Sequence, residues 1–394
     1  MKKWLCIILL IVLVVVISGG VWFYFKNQRT PSNSSKSKNP VTNTKDALTE
    51  IPTEILKNKF GWLGGGSNDD GRIIVEMAGA WVRPHPGPLV WDMMQKTAAG
   101  EIDFSNADDV VKVYQKNNLG LLLTFWPFAE WDQKNLSNVV NCQVSNLDEF
   151  LNKNDKKGRG SYLPQSRCNP NDWSAYQKWV NTVVERYDGD GQSDMPGLRY
   201  PIKHWEVMNE PDLSWKPGLD SDRLSFYKQG PAEYGELLKQ TYIAIKQADK
   251  DSEVLIAGAA GGSSNFLEFY QTLFTNMKDA SDYFDIGNVH CISNDEQTRD
   301  YNVTAYKQVL TSAAITKSIW VTEAEAFYRE NTTADQNYES TKTSVTGALA
   351  AGAEKIFFTR YSFDDFRTDM SQKIETGKYP NEEKYRDIIK SYLK

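Results

Sequence analysis

Short apolar runs alternate with amphipathic stretches along most of this chain. Eight runs read as strands: Phe60–Gly65, Ala80–Arg83, Leu119–Phe125, His204–Met208, Glu253–Gly258, Phe284–Val289, Ser318–Thr322 and Lys355–Thr359. Between and after them, apolar residues recur at helical spacing over 107–117, 172–187, 231–249, 264–277, 303–314, 338–351 and 381–393, and a shorter helical turn fits 72–78. The strands are brief, β-branched and continuously apolar, the pattern of a parallel sheet covered by helices. Eight such units predict an α/β fold, a single (β/α)8 TIM barrel over 55–394. An open doubly wound sheet is the alternative. Against it, Gly64-Gly65-Gly66 lacks the spacing of a dinucleotide-binding turn, and 72–78 is short for a cofactor platform.

The N-terminal pattern is different. Met1-Lys2-Lys3 precedes 22 uncharged residues, Trp4 to Phe25. As a helix these span roughly 33 Å, enough for a bilayer core. The run is longer than a usual signal-peptide core, and Trp22 and Tyr24 suit an interfacial belt. The expectation is a single-pass membrane anchor over 1–26, a flexible Ser/Asn/Thr/Lys/Pro tether over 27–54, and the barrel on the extracytoplasmic side. A cleaved signal peptide is the competing reading. Cys142 and Cys168 lie in one long connection and can pair in an oxidising compartment, whereas Cys291 reads as a buried thiol.

Composition narrows the partners. Residues 51–394 carry 38 Lys+Arg against 49 Asp+Glu, a net charge of −11, with no basic stripe. Such a body argues against nucleic acid. The 12 Trp are numerous, and aromatic faces can serve either as sugar platforms or as core. The three His show no metal-ligand spacing, so no cofactor is expected for catalysis. Asp188, Asp190, Gln192 and Asp194 alternate like the first half of a calcium loop, but Arg199 stands where an EF-hand needs Glu. A structural calcium site and a plain Gly/Asp turn both stay open.

Barrel enzymes place their chemistry at the C-terminal ends of the strands. Those ends hold Arg83 and His85, Trp126, Asn209-Glu210, His290, Glu323 with Glu325, and Arg360, Tyr361 and Asp364. Carboxylates on strands 4 and 7 face each other across a barrel mouth, as glycoside cleavage requires: one protonates the departing oxygen and the other attacks the anomeric carbon.

His204-Trp205-Glu206-Val207-Met208-Asn209-Glu210-Pro211 resembles the strand-4 signature of the clan A glycoside hydrolases, and Ile319-Trp320-Val321-Thr322-Glu323 is similar to their strand-7 signature. Trp81-Val82-Arg83 resembles their strand-2 end. Families 5 and 39 are the nearest in pattern. The resemblance implies a retaining glycoside hydrolase acting on an extracellular oligo- or polysaccharide, with Glu210 as acid/base and Glu323 as nucleophile. It also implies that Arg83 supports the nucleophile and Asn209 contacts the sugar 2-OH. His290, Trp126, Trp131, Trp215 and Tyr361 are candidate substrate contacts, each with a plain core or rim role as its alternative. His290-Cys291-Ile292 departs from the pattern, which places an aromatic two residues after the strand-6 His. Strand 8 ends in Arg360-Tyr361 where a Trp is common, leaving Tyr361 or Phe363 as the platform. A transglycosidase with the same pair and a catalytically silent carbohydrate-binding barrel are the other functions in view. Strand periodicity does not separate Glu323 from Glu325, since residues two apart share a face. The end of the apolar run at Thr322 favours Glu323.

Overall fold

Eight parallel strands close into a barrel in sequence order: β1 Phe60–Gly64, β2 Trp81–Pro84, β3 Gly120–Phe125, β4 His204–Val207, β5 Glu253–Ile256, β6 Ile286–Cys291, β7 Ser318–Ala324 and β8 Ala353–Phe358. β8 returns to β1 through Phe60↔Ile356, Gly61↔Phe357 and Trp62↔Phe358. The computed structural model describes residues 50–65, 68–134, 142–144, 163–215, 225–292, 299–325, 332–361, 363 and 382–393. Helices Ser105–Lys116, Trp173–Tyr187, Pro231–Ala248, Ser264–Asn276, Val303–Ser312, Ala334–Ala351 and Glu382–Lys390 occupy the places the apolar spacing marks. The helix expected from 338 begins at Ala334, because Thr333 caps Gln336 N and Gln336 Oε1 accepts from Thr333 N. That capping box adds a turn that apolar periodicity alone does not show.

Alternation along each strand sorts the side chains into two cores. Outward residues such as Trp62, Val82, Trp205, Val254, Val289 and Val321 pack in the large cluster shared with the helices. Trp81, Leu122, Leu255, Ile286, Trp320 and Phe357 form a separate cluster, the apolar floor of the barrel. His204 belongs to this floor, with its ring stacked on Trp320 at 5.0 Å and edge-on to Trp81. Gly61 must lack a side chain, since a Cβ there would lie 2.7 Å from both the Phe357 ring and the Trp81 carbonyl.

The floor reaches back into the stretch read as tether. Ile51 and Ile55 are buried in it, and Trp81 Nε1 donates to Ile55 O at 2.8 Å. Helix Thr53–Lys57 thus closes the bottom of the barrel, and Lys355 Nζ, 4.4 Å above the Trp81 ring, donates to Leu56 O and Asn58 O. Cys142 and Cys168 are disulfide-bonded.

The membrane-anchored localisation is corrected. Among the described residues no helix is long and apolar enough to cross a membrane. The run Trp4–Phe25 and most of the tether lie outside the described residues.

Candidate active site

A polar layer lies above the apolar floor. On β2, β4 and β6, strict alternation turns Arg83, Glu206 and Asn288 inward, two residues beyond the floor residues Trp81, His204 and Ile286. Arg83 is fully buried, and its guanidinium is shared three ways. Nε donates to Glu206 Oε2 at 2.8 Å, Nη1 to Glu323 Oε1 at 2.8 Å, and Nη2 to Asn209 Oδ1 at 2.6 Å. Nη1 also donates to His85 Nδ1 at 3.2 Å. Burial opposes the guanidinium charge, but Glu206 and Glu323 outweigh it and hold its pKa above the ordinary value. A planar five-donor group suits this task, since one Arg fixes residues from β4 and β7 at once.

Removing that cation leaves buried carboxylates unpaired. Arg83→Met is expected to destabilise the protein by about 3–5 kcal/mol. Equilibrium denaturation at neutral pH measures this, and a change below about 1 kcal/mol would mean that the layer relaxes or admits water.

The top of β7 breaks the alternation. Val289 pairs with Val321 and His290 with Glu323, so β7 holds one extra residue, Thr322. This bulge lets neighbouring side chains both reach inward groups. Thr322 Oγ1 bonds Asn288 and His290, while Glu323 bonds Arg83. Glu325 goes elsewhere: its Oε1 accepts from Arg360 Nε at 2.7 Å and also from Nη2. Burial raises the pKa of both Glu323 and Glu325. For Glu323, a protonated His290 and Arg83 pull against the rise and an ionised Glu210 adds to it; for Glu325, Arg360 opposes it.

Glu210 follows β4 in an unusual backbone. Met208 and Glu210 have φ of 70° and 42°, the left-handed region that costs a non-glycine residue about 1 kcal/mol or more. The turn is held by Met208 N→Phe125 O at 3.1 Å and Leu213 N→Glu210 O at 3.2 Å. The side chain, 3% exposed, meets His290 Nδ1 through Oε1 at 2.7 Å. One oxygen each from Glu210 and Glu323 and one ring nitrogen of His290 all lie within 4.8 Å of one another. His290 fits because Gly258, two residues past β5, has no side chain: a Cβ there would sit 2.1 Å from His290 Nε2.

Arg83, Asn209, Glu210, His290 and Glu323 are therefore brought together. The aromatic candidates are not. Trp126 is fully buried with Nε1 bonded to Pro86 O at 2.7 Å, and Tyr361 is buried with its hydroxyl on Leu63 O at 2.7 Å. Phe363 stacks on Tyr385 at 4.2 Å. Trp131 bonds Gln95 O and packs edge-on to Trp91, and Trp215 packs edge-on to Phe269, both half-buried. As sugar platforms, Trp126 and Tyr361 are corrected to packing residues; His85 and Phe226 instead stand beside Trp126, at 6.2 and 5.6 Å. Asp364 lies outside the described residues.

The Asp188–Asp194 loop connects helix Trp173–Tyr187 to the start of β4, at the opposite face of the barrel from the carboxylate pair. Asp188, Asp190 and Asp194 each offer an oxygen within 4.8 Å of the others. Those carboxylates already accept from loop N–H groups: Gly189 and Gly191 to Asp194, Asp190 to Asp188, and Gln192 to Asp190. This is the bonding of a turn.

Glu206, Thr124, Asn288 and Thr322 were not foreseen. Glu206 had a signal: an acidic residue inside an apolar strand must find a buried cation, and Arg83 ends another such strand. Asn288 and Thr322 had none, since neutral polar residues at the end of a strand are ordinary.

A family model for the glycosyl hydrolase catalytic core matches residues 192–392. The chain belongs to that family. It is a glycosidase, and enzymes of this kind need no cofactor. The matched segment holds Glu206, Asn209, Glu210, His290 and Glu323, and leaves β1 to β3 with Arg83 outside. Solved structures share the barrel at low identity. A glucosidase from Croceicoccus marinus is 13% identical with a TM-score of 0.59, covering 86% of this chain and 68% of that one. A family 39 glycoside hydrolase from Bacteroides cellulosilyticus WH2 is 12% identical with a TM-score of 0.52, covering 87% of this chain and 65% of that one. Xylanase 10B from Thermotoga maritima is 13% identical with a TM-score of 0.51, covering 88% and 99%. No curated protein sequence matches the chain.

Proposed function

We propose that the chain is a retaining glycosidase acting on an extracellular oligo- or polysaccharide, with Glu323 as nucleophile and Glu210 as acid/base. The observation that carries this reading is the close approach of the two carboxylates, with oxygens within 4.8 Å. Retaining pairs stand about 5–5.5 Å apart, whereas inverting pairs need about 6.5–9.5 Å to admit a water. Arg83 Nη1 donates to Glu323 Oε1, which leaves Oε2 as the atom for attack. Glu210 protonates the departing oxygen, and the glycosyl-enzyme is then opened by water that Glu210 deprotonates. Asn209, fixed by Arg83 Nη2, supports recognition of the sugar 2-OH. The disulfide fits an oxidising compartment.

Stereochemistry tests the reading. Proton NMR of the first product from an aryl glycoside should show the anomer of the substrate; the opposite anomer would mean inversion. The pH profile adds a second check. Attack needs Glu323 ionised, and burial lifts its pKa above the ordinary 4.5. The acid limb of kcat/KM should therefore lie above 4.5. A limb at or below that value would place the ionising group elsewhere.

A further inference from the structure

Beneath the two carboxylates runs a chain of hydrogen bonds whose direction follows from donor and acceptor chemistry. It begins at Glu206, which as a carboxylate only accepts. Arg83, Thr124 and Asn288 Nδ2 all donate to it, Asn288 at 2.8 Å. Rotating the Asn288 amide would set its oxygen against that carboxylate, so the amide orientation is determined. Asn288 Oδ1 then faces Thr322 Oγ1 at 2.8 Å and accepts its proton. The other oxygen within reach of that hydroxyl, Glu206 Oε1 at 3.4 Å, is also purely an acceptor. A hydroxyl has one hydrogen, so Thr322 Oγ1 meets His290 Nε2, 2.8 Å away, with a lone pair. Nε2 therefore carries a hydrogen.

Among the described residues, the groups facing the ring are Glu210 and Glu206 from β4 and its end, Glu323 and Thr322 from β7, Arg83 from β2, and Gly258 from just past β5. Burial drives the ring pKa down to about 4; Arg83 lowers it too, while Glu323 and Glu206 oppose the shift. At neutral pH the ring holds one proton, already on Nε2, and Nδ1 is a lone pair. Glu210 Oε1 lies 2.7 Å from it. Two lone pairs repel at that distance, so the proton between them belongs to Glu210.

We propose that Asn288 and Thr322 are positioning residues that hold His290 as its Nε2–H tautomer and thereby keep the acid proton on Glu210. The proposal rests on Glu210 being the acid/base. When Glu210 gives its proton to the departing oxygen, the new carboxylate faces the Nδ1 lone pair. That repulsion favours its recovering a proton from the attacking water, which closes the cycle with the proton back on Glu210.

Nitrogen-15 NMR of histidine-labelled wild-type protein tests the tautomer without any substrate. His290, assigned against His85→Asn and His204→Asn, should show a pyrrole-type Nε2 and a pyridine-type Nδ1. The reverse pattern, or two pyrrole-type nitrogens, would overturn the proposal. Activity supplies a second arm. Thr322→Val removes the hydroxyl at constant shape. It should move the alkaline limb of kcat/KM down by about one pH unit and cost about tenfold on alkyl glycosides, with less loss on activated aryl glycosides. Thr322→Ser should restore both. Equal losses on the two substrates with an unmoved limb, or failure of Ser to restore, would contradict it. If Thr322→Val does not fold, the nitrogen spectrum still decides. A wild-type protein with the expected spectrum but no hydrolysis would count against the role of Glu210 and leave the tautomer standing.

Discussion

Glu323→Gln is expected to lower kcat on every accepted glycoside by about 10^5-fold while the protein stays folded. The amide keeps an oxygen for Arg83 Nη1, now at 2.8 Å from Glu323 Oε1, but no longer supplies a charged nucleophile. A shorter side chain gives a sharper test. Glu323→Ala opens room beside the anomeric carbon, and azide should restore turnover with a product of opposite anomeric configuration. Glu325→Gln serves as the control. Its partner is Arg360, so this variant should retain far more activity than Glu323→Gln. A loss under tenfold for Glu323→Gln, or the larger loss at Glu325, would reverse the assignment.

The second large effect belongs to Glu210→Ala, and it depends on the leaving group. Proton donation is worth about 10^2–10^4-fold when the departing oxygen is a poor leaving group, and little when it is an activated phenol. The kcat/KM for alkyl glycosides should fall by that range, and for dinitrophenyl glycosides by much less. With activated substrates the second step becomes limiting, since water has lost its base, and azide should accelerate it. Equal losses across leaving groups would show that Glu210 holds the site's shape and does not transfer a proton.

Particular residues show why some of this was legible and some was not. Both glutamates end apolar strands, and polar residues that close an apolar run in a barrel lie at the mouth. The choice between Glu323 and Glu325 was harder. Regular alternation makes them equivalent, and what separates them is the arginine each meets, Arg83 for Glu323 and Arg360 for Glu325. Those arginines come from β2 and from just past β8, so the pattern of β7 alone does not reveal the pairing. Trp126 and Tyr361 are packing residues for a different reason. Trp126 and Tyr361 each bury the ring and satisfy the polar atom on a backbone carbonyl, as aromatic residues do in cores. Burial of that kind is decided by neighbours far along the chain. The polar layer was half legible: Arg83 was named, while its partner Glu206 passed as part of a strand. Asn209 and Glu210 emerged from a tripeptide, but the left-handed backbone at Met208 and Glu210 that aims them did not, because neither residue favours it.

The account turns on a covalent bond between the sugar and Glu323. A 2-deoxy-2-fluoro glycoside with a good leaving group slows both steps but the second more, so the glycosyl-enzyme accumulates. Peptide mapping by mass spectrometry of the trapped protein locates the bond. The prediction is one added fluoro-sugar per chain, on the peptide containing Ile319-Trp320-Val321-Thr322-Glu323 and at Glu323 itself. A label at Glu325 or Glu210, or steady hydrolysis of the probe with inverted product and no label, would contradict it.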